Sequence, residues 1–401
     1  MKLKSIFRGD IGIWVVFFLL SLISLAAVYS SIGLEAYTHR GPGPTGWFLK
    51  HLAIVLLTYG VIIVLSRINY RYFSRFAVLG YWASLVLLVV LLALGKRWLV
   101  IPGMGQFQPS EIAKVMLIIF VARMLALKKE QAGELGVFLQ LLIYIGAVAG
   151  FVLPENFSTA ALIFLTCYLM MYLGGVNKKY WWRLLIVIVL AVGVGLTVTY
   201  LRYERSLLTG EAVTEAQVLK RQSTWGHRIY SWLNPDPDEL TQENMARMAI
   251  ARGGATGKHV GSTIHGRLMT QAHNDFIYAI IIEETGIIGG LVVLILYGIF
   301  YLRCLRLAKR CEGPFGQLTI AGLGTVIYLQ ALVNMSVAVG ALPVTGQTLP
   351  FISYGGTAYL FLGCGVGVIQ AVAADINKRE KKQSGESAVA TQELKEMPGE
   401  A

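Results

Sequence analysis

A carboxylate stands where a polar stretch turns apolar. In QAHNDFIYAIIIEETGIIGG, residues 271–290, the polar half ends at Asp275 and the apolar half begins at Phe276. An aspartate near its ordinary pKa of ~3.9 is ionised at neutral pH, so it is equipped to take a proton as a general base. Asp is also a favoured helix N-cap, which is the plain alternative for this position. Glu283 and Glu284 follow about two turns deeper, roughly 12–14 Å along a helix at ~1.5 Å per residue. Carboxylates at that depth must face water, a partner or a substrate, because lipid does not solvate them.

Other reactive side chains gather in stretches that share this border. KRWLVIPGMGQFQPSEIAK, 96–114, brings Lys96, Arg97, Gln108, Ser110, Glu111 and Lys114 together. IPGMG predicts a tight turn, and Ser110 after Pro109 is placed to cap the next helix. Glu111 and Lys114 share a helix face, either as an internal brace or with Lys114 turned toward an anionic substrate. The 202–275 region supplies Lys258, His265, Arg267 and His273 among glycines, a composition suited to phosphate oxygens or to a solvated loop. Within it, TWGHRIYSWL puts Trp225, Ile229 and Trp232 on one helical face. ALPVTGQTLPFISYGGT, 341–357, has two prolines, three glycines and no charged residue. That predicts a membrane-buried loop lining a cavity, with Ser353, Tyr354, Gly355 and Gly356 available to a ligand.

The elements that must position these groups are membrane helices. The chain has 401 residues, 55% hydrophobic and only 14% charged, with a mean hydropathy of +0.61, against about 25% charged residues in a soluble domain. Its net charge of +12 is therefore read by placement across a membrane, and nucleic acid is excluded as a partner. Spans of about 20 residues are expected over Ile11–Ile32, Trp47–Leu65, Phe76–Leu94, Ile112–Leu127, Val137–Leu153, Thr159–Val176, Trp182–Leu201, Phe276–Leu302, Leu318–Val339 and Ala358–Ala373. The first is too long for a cleavable signal peptide. Basic residues concentrate in the N-terminal segment, in the connections between spans 2 and 3, 4 and 5, 6 and 7, and 8 and 9, and in the tail, so both termini are expected in the cytoplasm and the reactive stretches on the outer face. Lys96 and Arg97 are the exception. None of Cys167, Cys304, Cys311 and Cys364 falls in an outer loop, and no metal-ligating pattern is present. Residues 1–376 read as one transmembrane domain, with 202–275 as its large outer loop and 377–401 as a disordered, charged tail.

KRW…FQPSEIAK, RIYSWLNP, AIARGG, AHNDFIYAIIIEETGIIGG and LPVTGQTLPFISYGGT occur in the order found in the SEDS family (shape, elongation, division and sporulation proteins of bacteria). The chain resembles that family up to about Ala374, and PFISYGG looks most like its FtsW, cell-division branch. The resemblance implies an all-α fold of ten transmembrane helices in the bacterial inner membrane. It also implies a peptidoglycan glycosyltransferase that polymerises lipid II onto an undecaprenyl-pyrophosphate-linked glycan. The partners implied are a class B penicillin-binding protein and other membrane proteins of the division complex.

By the same resemblance Asp275 falls on the family's essential aspartate, Gln108 through Lys114 on its PSE…K motif, and Arg228 and Trp232 on its R…W pattern. Asn156 stands where the family usually has an aspartate, His265 where it has a lysine, and Gln347 where leucine is common. The expected chemistry is an inverting displacement with Asp275 as base. Lys114, His265, Arg267, Lys96 and Arg97 would stabilise the pyrophosphate, with or without magnesium or manganese. His273 and Asn274 would position Asp275 or the acceptor. A lipid II flippase, a RodA-type elongation polymerase and a non-catalytic division scaffold are the competing readings.

Overall fold

The computed structural model describes residues 7–31, 43–95, 98–101, 105–209, 228–234, 241–269 and 273–396. Helices dominate, because a chain in lipid must satisfy its backbone within each span. In chain order they are α1 (Ile11–Ser31), α2 (Gly43–Leu65), α3 (Tyr70–Ala93), α4 (Pro109–Leu127), α5 (Leu135–Val152), α6 (Phe157–Leu173), α7 (Lys178–Thr209), α8 (Gln242–Gly253), α9 (His265–Leu268), α10 (Ile277–Arg310), α11 (Pro314–Ala338) and α12 (Thr357–Glu396). Eight are long and apolar enough to cross a membrane by composition alone. The set excludes α4, which carries Glu111, Lys114 and Arg123, and the 17-residue α6. Both pack into the same bundle and bring the spans among the described residues to the ten expected. This is a multi-pass membrane protein.

Strands β1 (Leu99–Ile101) and β2 (Gly105–Phe107) pair antiparallel, Leu99 opposite Phe107. These two strands are the one exception to an all-helical plan among the described residues, and the turn expected from IPGMG lies, at residues 102–104, outside them.

α10 packs most extensively on α11, and α12 on α2. α11 and α12 are the most buried spans, whereas the apolar window of α7 has no buried residue and its side chains face lipid. The sequence places no proline between Asp375 and Met397, and Arg379 pairs with Asp375 one turn back at 2.8 Å. Lys, Glu, Gln and Ala through this stretch are good helix formers. Residues 377–396 continue α12 as helix.

α10 is interrupted. Gly286 has φ 74° and ψ −178°, so the helix ends and restarts there. The segment after α8 fills the break. Ile287 N donates to Gly254 O (2.9 Å), Ile288 N to Ala255 O (3.4 Å), and Lys258 N to Glu283 O (3.1 Å). Backbones approach closely at three glycines: an added Cβ would lie 2.1 Å from Ile282 O at Gly253, 2.1 Å from Glu284 O at Gly257, and 2.2 Å from Ala255 O at Gly286.

Candidate active site

The loop between α11 and α12 is the hub. It is non-helical yet buried, with Gln347, Leu349, Phe351, Ile352 and Ser353 almost fully enclosed. Such backbone survives at membrane depth only when every polar group finds a protein partner. Here the partners are side chains drawn from across the bundle. Trp232 Nε1 donates to Gly340 O (2.9 Å) and Arg228 Nη1 to Val344 O (3.1 Å). Asn334 Nδ2 donates to Gln347 O (2.7 Å) and Gln330 Nε2 to Thr348 O (3.0 Å). The Tyr297 hydroxyl donates to Pro350 O, and Ser24 Oγ to Ile352 O at 2.7 Å. Arg228 and Trp232, the R…W pair, thus hold the hub from the 202–275 region. Phe351 sits in the left-handed region at φ 61°, a conformation that costs about 1–3 kcal/mol and persists because the surroundings over-determine it. Its ring is locked against Phe17 and Tyr359.

The Asp275 turn is stitched to this hub. Tyr354 N donates to His273 O (2.9 Å), Ser353 Oγ to Asn274 O (2.6 Å), and Asn334 Nδ2 to Asp275 O (2.9 Å). Asp275 is half-buried. A Cβ on Gly346 would lie 3.8 Å from Asp275 Oδ2, so that carboxylate oxygen faces the first, glycine-bearing part of the hub. Asp275 is not the cap of α10, since that place falls to Phe276. Burial pushes the His273 imidazole down to about 4, so it is neutral at pH 7 and adds no positive charge.

Lys114 lies on the other side of the hub and is wholly buried. Its ammonium donates to Glu111 Oε2 (2.8 Å) and to Gln330 Oε1 (2.7 Å), and Gln330 in turn holds Thr348 O. Of the two options left by the sequence, the structure brings Lys114 to Glu111 as a brace, and runs that brace into the hub. Ser110 does not cap α4. Gln108 is the N-cap residue and Pro109 takes the first helical position, where its missing N–H costs nothing. Gln108 Nε2 and Ser110 Oγ are buried without a hydrogen-bond partner among the described residues. Asn156 caps α6 by accepting from Thr159 N (3.1 Å). Gln347 donates to Thr159 Oγ1 (2.6 Å) and to Asn156 Oδ1 (3.4 Å), so two of the departures from the family pattern touch each other.

The glycine-rich loop before α10 is held by the deep carboxylates. Glu283 accepts from Arg252 Nη1 (2.6 Å), Thr263 Oγ1 (2.5 Å) and Ile264 N (3.2 Å), and pairs with His265 Nδ1 at 2.9 Å. Glu284 accepts from Gly261 N (3.0 Å) and from the Ser30 hydroxyl. His265 is therefore engaged with Glu283 through Nδ1, while Lys258 is exposed. Lys96 and Arg97 lie outside the described residues, as does the side chain of Arg267. Ala358 N donates to Gly355 O (2.8 Å), and Gly356 has φ 46°, starting α12. Among the described residues no three His, Cys, Asp or Glu side chains come together around one point.

The sequence reading missed Arg252, Gln330, Asn334, Trp47 and His51. Arg252 carried one signal, a charge beside a helix-ending Gly-Gly pair. The other four look like ordinary residues of apolar spans.

A family model described as "Cell cycle protein", FTSW_RODA_SPOVE, matches residues 11–378. The chain is 30% identical over 385 residues to a probable peptidoglycan glycosyltransferase FtsW of Geobacter sulfurreducens, covering 92% of this chain and 96% of that one. It is 28% identical over 375 residues to the peptidoglycan glycosyltransferase MrdB of Escherichia coli K12, covering 88% and 92%. Among solved structures it resembles a chain from a study of polymerization and crosslinking by a peptidoglycan synthase complex, with a TM-score of 0.69 and 23% identity over 92% of this chain and 98% of that chain. It also resembles the rod shape determining protein RodA of Thermus thermophilus, with a TM-score of 0.63 and 21% identity over 92% and 97%.

Proposed function

The chain belongs to the FtsW/RodA/SpoVE family of cell cycle proteins, and on that premise we propose that it is a peptidoglycan glycosyltransferase that polymerises lipid II with Asp275 as general base. The observation that carries the assignment is the three-point anchoring of residues 273–275. Their carbonyls are held by Tyr354, Ser353 and Asn334, while the Asp275 side chain stays half-buried at the hub. A base must be fixed to within a fraction of an ångström yet reach its proton, and this anchoring fixes the backbone without spending the carbonyl groups on helix.

Asp275 takes the proton from the 4-hydroxyl of the acceptor sugar. The oxygen attacks the anomeric carbon of the donor, the bond to the lipid pyrophosphate breaks, and an α-linked donor yields a β-linked product. One carboxylate suffices for that displacement, unlike the paired carboxylates of glycoside hydrolysis. Charge on the leaving pyrophosphate falls to Lys96, Arg97 and Arg267, with Lys114 and His265 acting from their paired positions. Gln108 and Ser110, whose buried polar atoms are unpaired among the described residues, are candidate substrate contacts on the α4 side. The proposed branch is FtsW and the stage septal. A class B penicillin-binding protein and other division-complex membrane proteins are the proposed partners.

Both termini are assigned to the cytoplasm and the site to the outer face. Val260 is exposed and lies in the outer loop. A cysteine there should react with a membrane-impermeant thiol reagent in intact cells, and labelling only after lysis refutes the orientation. The activity itself is tested by supplying lipid II to the purified protein with its synthase partner. Glycan polymer should form with wild type and not with Asp275→Ala. Transport without polymer would point to a flippase instead. Complementation of division-defective against elongation-defective cells assigns the branch.

A further inference from the structure

The α2 side of the hub holds buried polar atoms that no described group satisfies. Trp47 and His51 are four residues apart and share one face of α2. Their rings gather around Tyr354: Trp47 at 5.4 Å, His51 at 5.4 Å and His273 at 5.6 Å between centroids. Trp47 Nε1, His51 Nδ1, Tyr354 Oη and Asn274 Oδ1 are all buried and have no hydrogen-bond partner among the described residues. Single orphans occur in many proteins. Three on rings packed around Tyr354, with a fourth on Asn274 next to His273 in the chain, point to a group that pairs them.

The bonding fixes what that group must offer. Ser24 has one hydroxyl proton and gives it to Ile352 O. Ser24 Oγ, 2.8 Å from His51 Nε2, must therefore accept from the ring. The neutral imidazole then carries its proton on Nε2, which leaves Nδ1 as an acceptor. His51 is completely buried, so this lone pair does not meet solvent. The set contains two acceptors, His51 Nδ1 and Asn274 Oδ1, one donor, Trp47 Nε1–H, and one hydroxyl of either sense, on Tyr354. Around them are aromatic rings, suited to the C–H face of a pyranose.

We propose that Trp47, His51, Tyr354 and Asn274 form the subsite that seats the acceptor's 2-acetamido sugar, the sugar whose hydroxyl Asp275 deprotonates. The rings stack on the sugar, the acetamido N–H meets an acceptor, and its carbonyl meets the Trp47 N–H. This rests on the lipid II reading above, and it adds α2 to the site. Seating the sugar here places recognition on the same turn as the base, since Asn274 precedes Asp275.

The test separates binding from turnover by working in the Asp275→Asn background, with the full chain and its synthase partner. Binding of fluorescent lipid II is titrated for Trp47→Phe and Tyr354→Phe, and thermal unfolding is followed on the same samples. Each substitution keeps a ring and deletes an orphan, so it leaves nothing newly unpaired. Affinity should fall roughly tenfold per variant, with the unfolding midpoint unchanged or raised. A lipid II analogue bearing a 2-hydroxyl in place of the acetamido group should bind wild-type clusters more weakly, and Trp47→Phe should no longer distinguish the two. Wild-type affinity in both variants overturns the subsite, because buried water then satisfies these atoms. Loss of affinity that only tracks a lowered midpoint also overturns it. Should Asp275→Asn still polymerise, the base assignment fails while the binding comparison keeps its meaning.

Discussion

Asp275 and Glu283 lie eight residues apart in one stretch, and the fold treats them in opposite ways. Glu283 is completely buried, and its two oxygens are taken up by Arg252, Thr263, His265 and the Ile264 backbone. Asp275 is held by its carbonyl, with the carboxylate half-buried beside Gly346. A carboxylate saturated with donors is an anchor. On the proposed reading, one whose backbone is fixed at the hub serves as the base. On that reading, charge at the membrane border does two jobs.

The largest effect that bears on this contrast is Asp275→Asn. It keeps shape and removes the basic oxygen, so polymerisation should fall by roughly 10²–10⁴-fold, measured as glycan length on a gel, with membrane abundance unchanged. Activity within tenfold of wild type would erase the distinction between the two carboxylates. Next is Lys114→Met, which leaves Glu111 charged and buried and should cost roughly 3–5 kcal/mol of stability. Adding Glu111→Gln should restore abundance. If activity returns with it, Lys114 is a brace and not a substrate contact.

Glu283→Gln should be milder, about 1–3 kcal/mol, because Arg252 is partly exposed and water can replace the lost partner. Proteolysis of the 254–264 segment should speed up while polymerisation chemistry survives. Abolished chemistry with an intact loop would transfer the catalytic role to the deeper carboxylate. The smallest effect is that of His273. Its folded pKa of about 4 is below the unfolded value near ~6.5. The unfolded chain therefore binds more protons between these values, and stability rises with pH across that window and falls as pH drops from 6.5 toward 4. His273→Gln should flatten that part of the profile and change little at pH 7.

Much of this was legible in order of locality. Ten spans follow from hydropathy because lipid imposes one requirement on each helix separately. The buried loop before α12 was visible because prolines and glycines are local signals, while the R…W pair was visible only through the family resemblance. Ser110 was given the cap that Gln108 holds, since Pro109 accepts the first helical position and shifts the frame by two. Arg252 with Glu283 and Ser24 with Ile352 could not be read from sequence. Those pairings join residues 31 and 328 apart, and nothing in either neighbourhood names the other. His51 illustrates the limit: its isolated polar side chain in an apolar span acquires meaning only from the hydroxyl that orients it.

The glycine interlock at the α10 break bears on how such a chain tolerates mutation. Gly253, Gly257 and Gly286 each press against a backbone oxygen of another segment, so no side chain, not even a methyl group, fits without moving main chain. In a saturation scan scored by growth, these three positions should be as invariant as Asp275. Scored by protein abundance they should separate, the glycines losing the protein and Asp275 keeping it. Selection on such a chain would therefore preserve architecture and chemistry with equal strictness, and only the second measurement tells which constraint a silent column records.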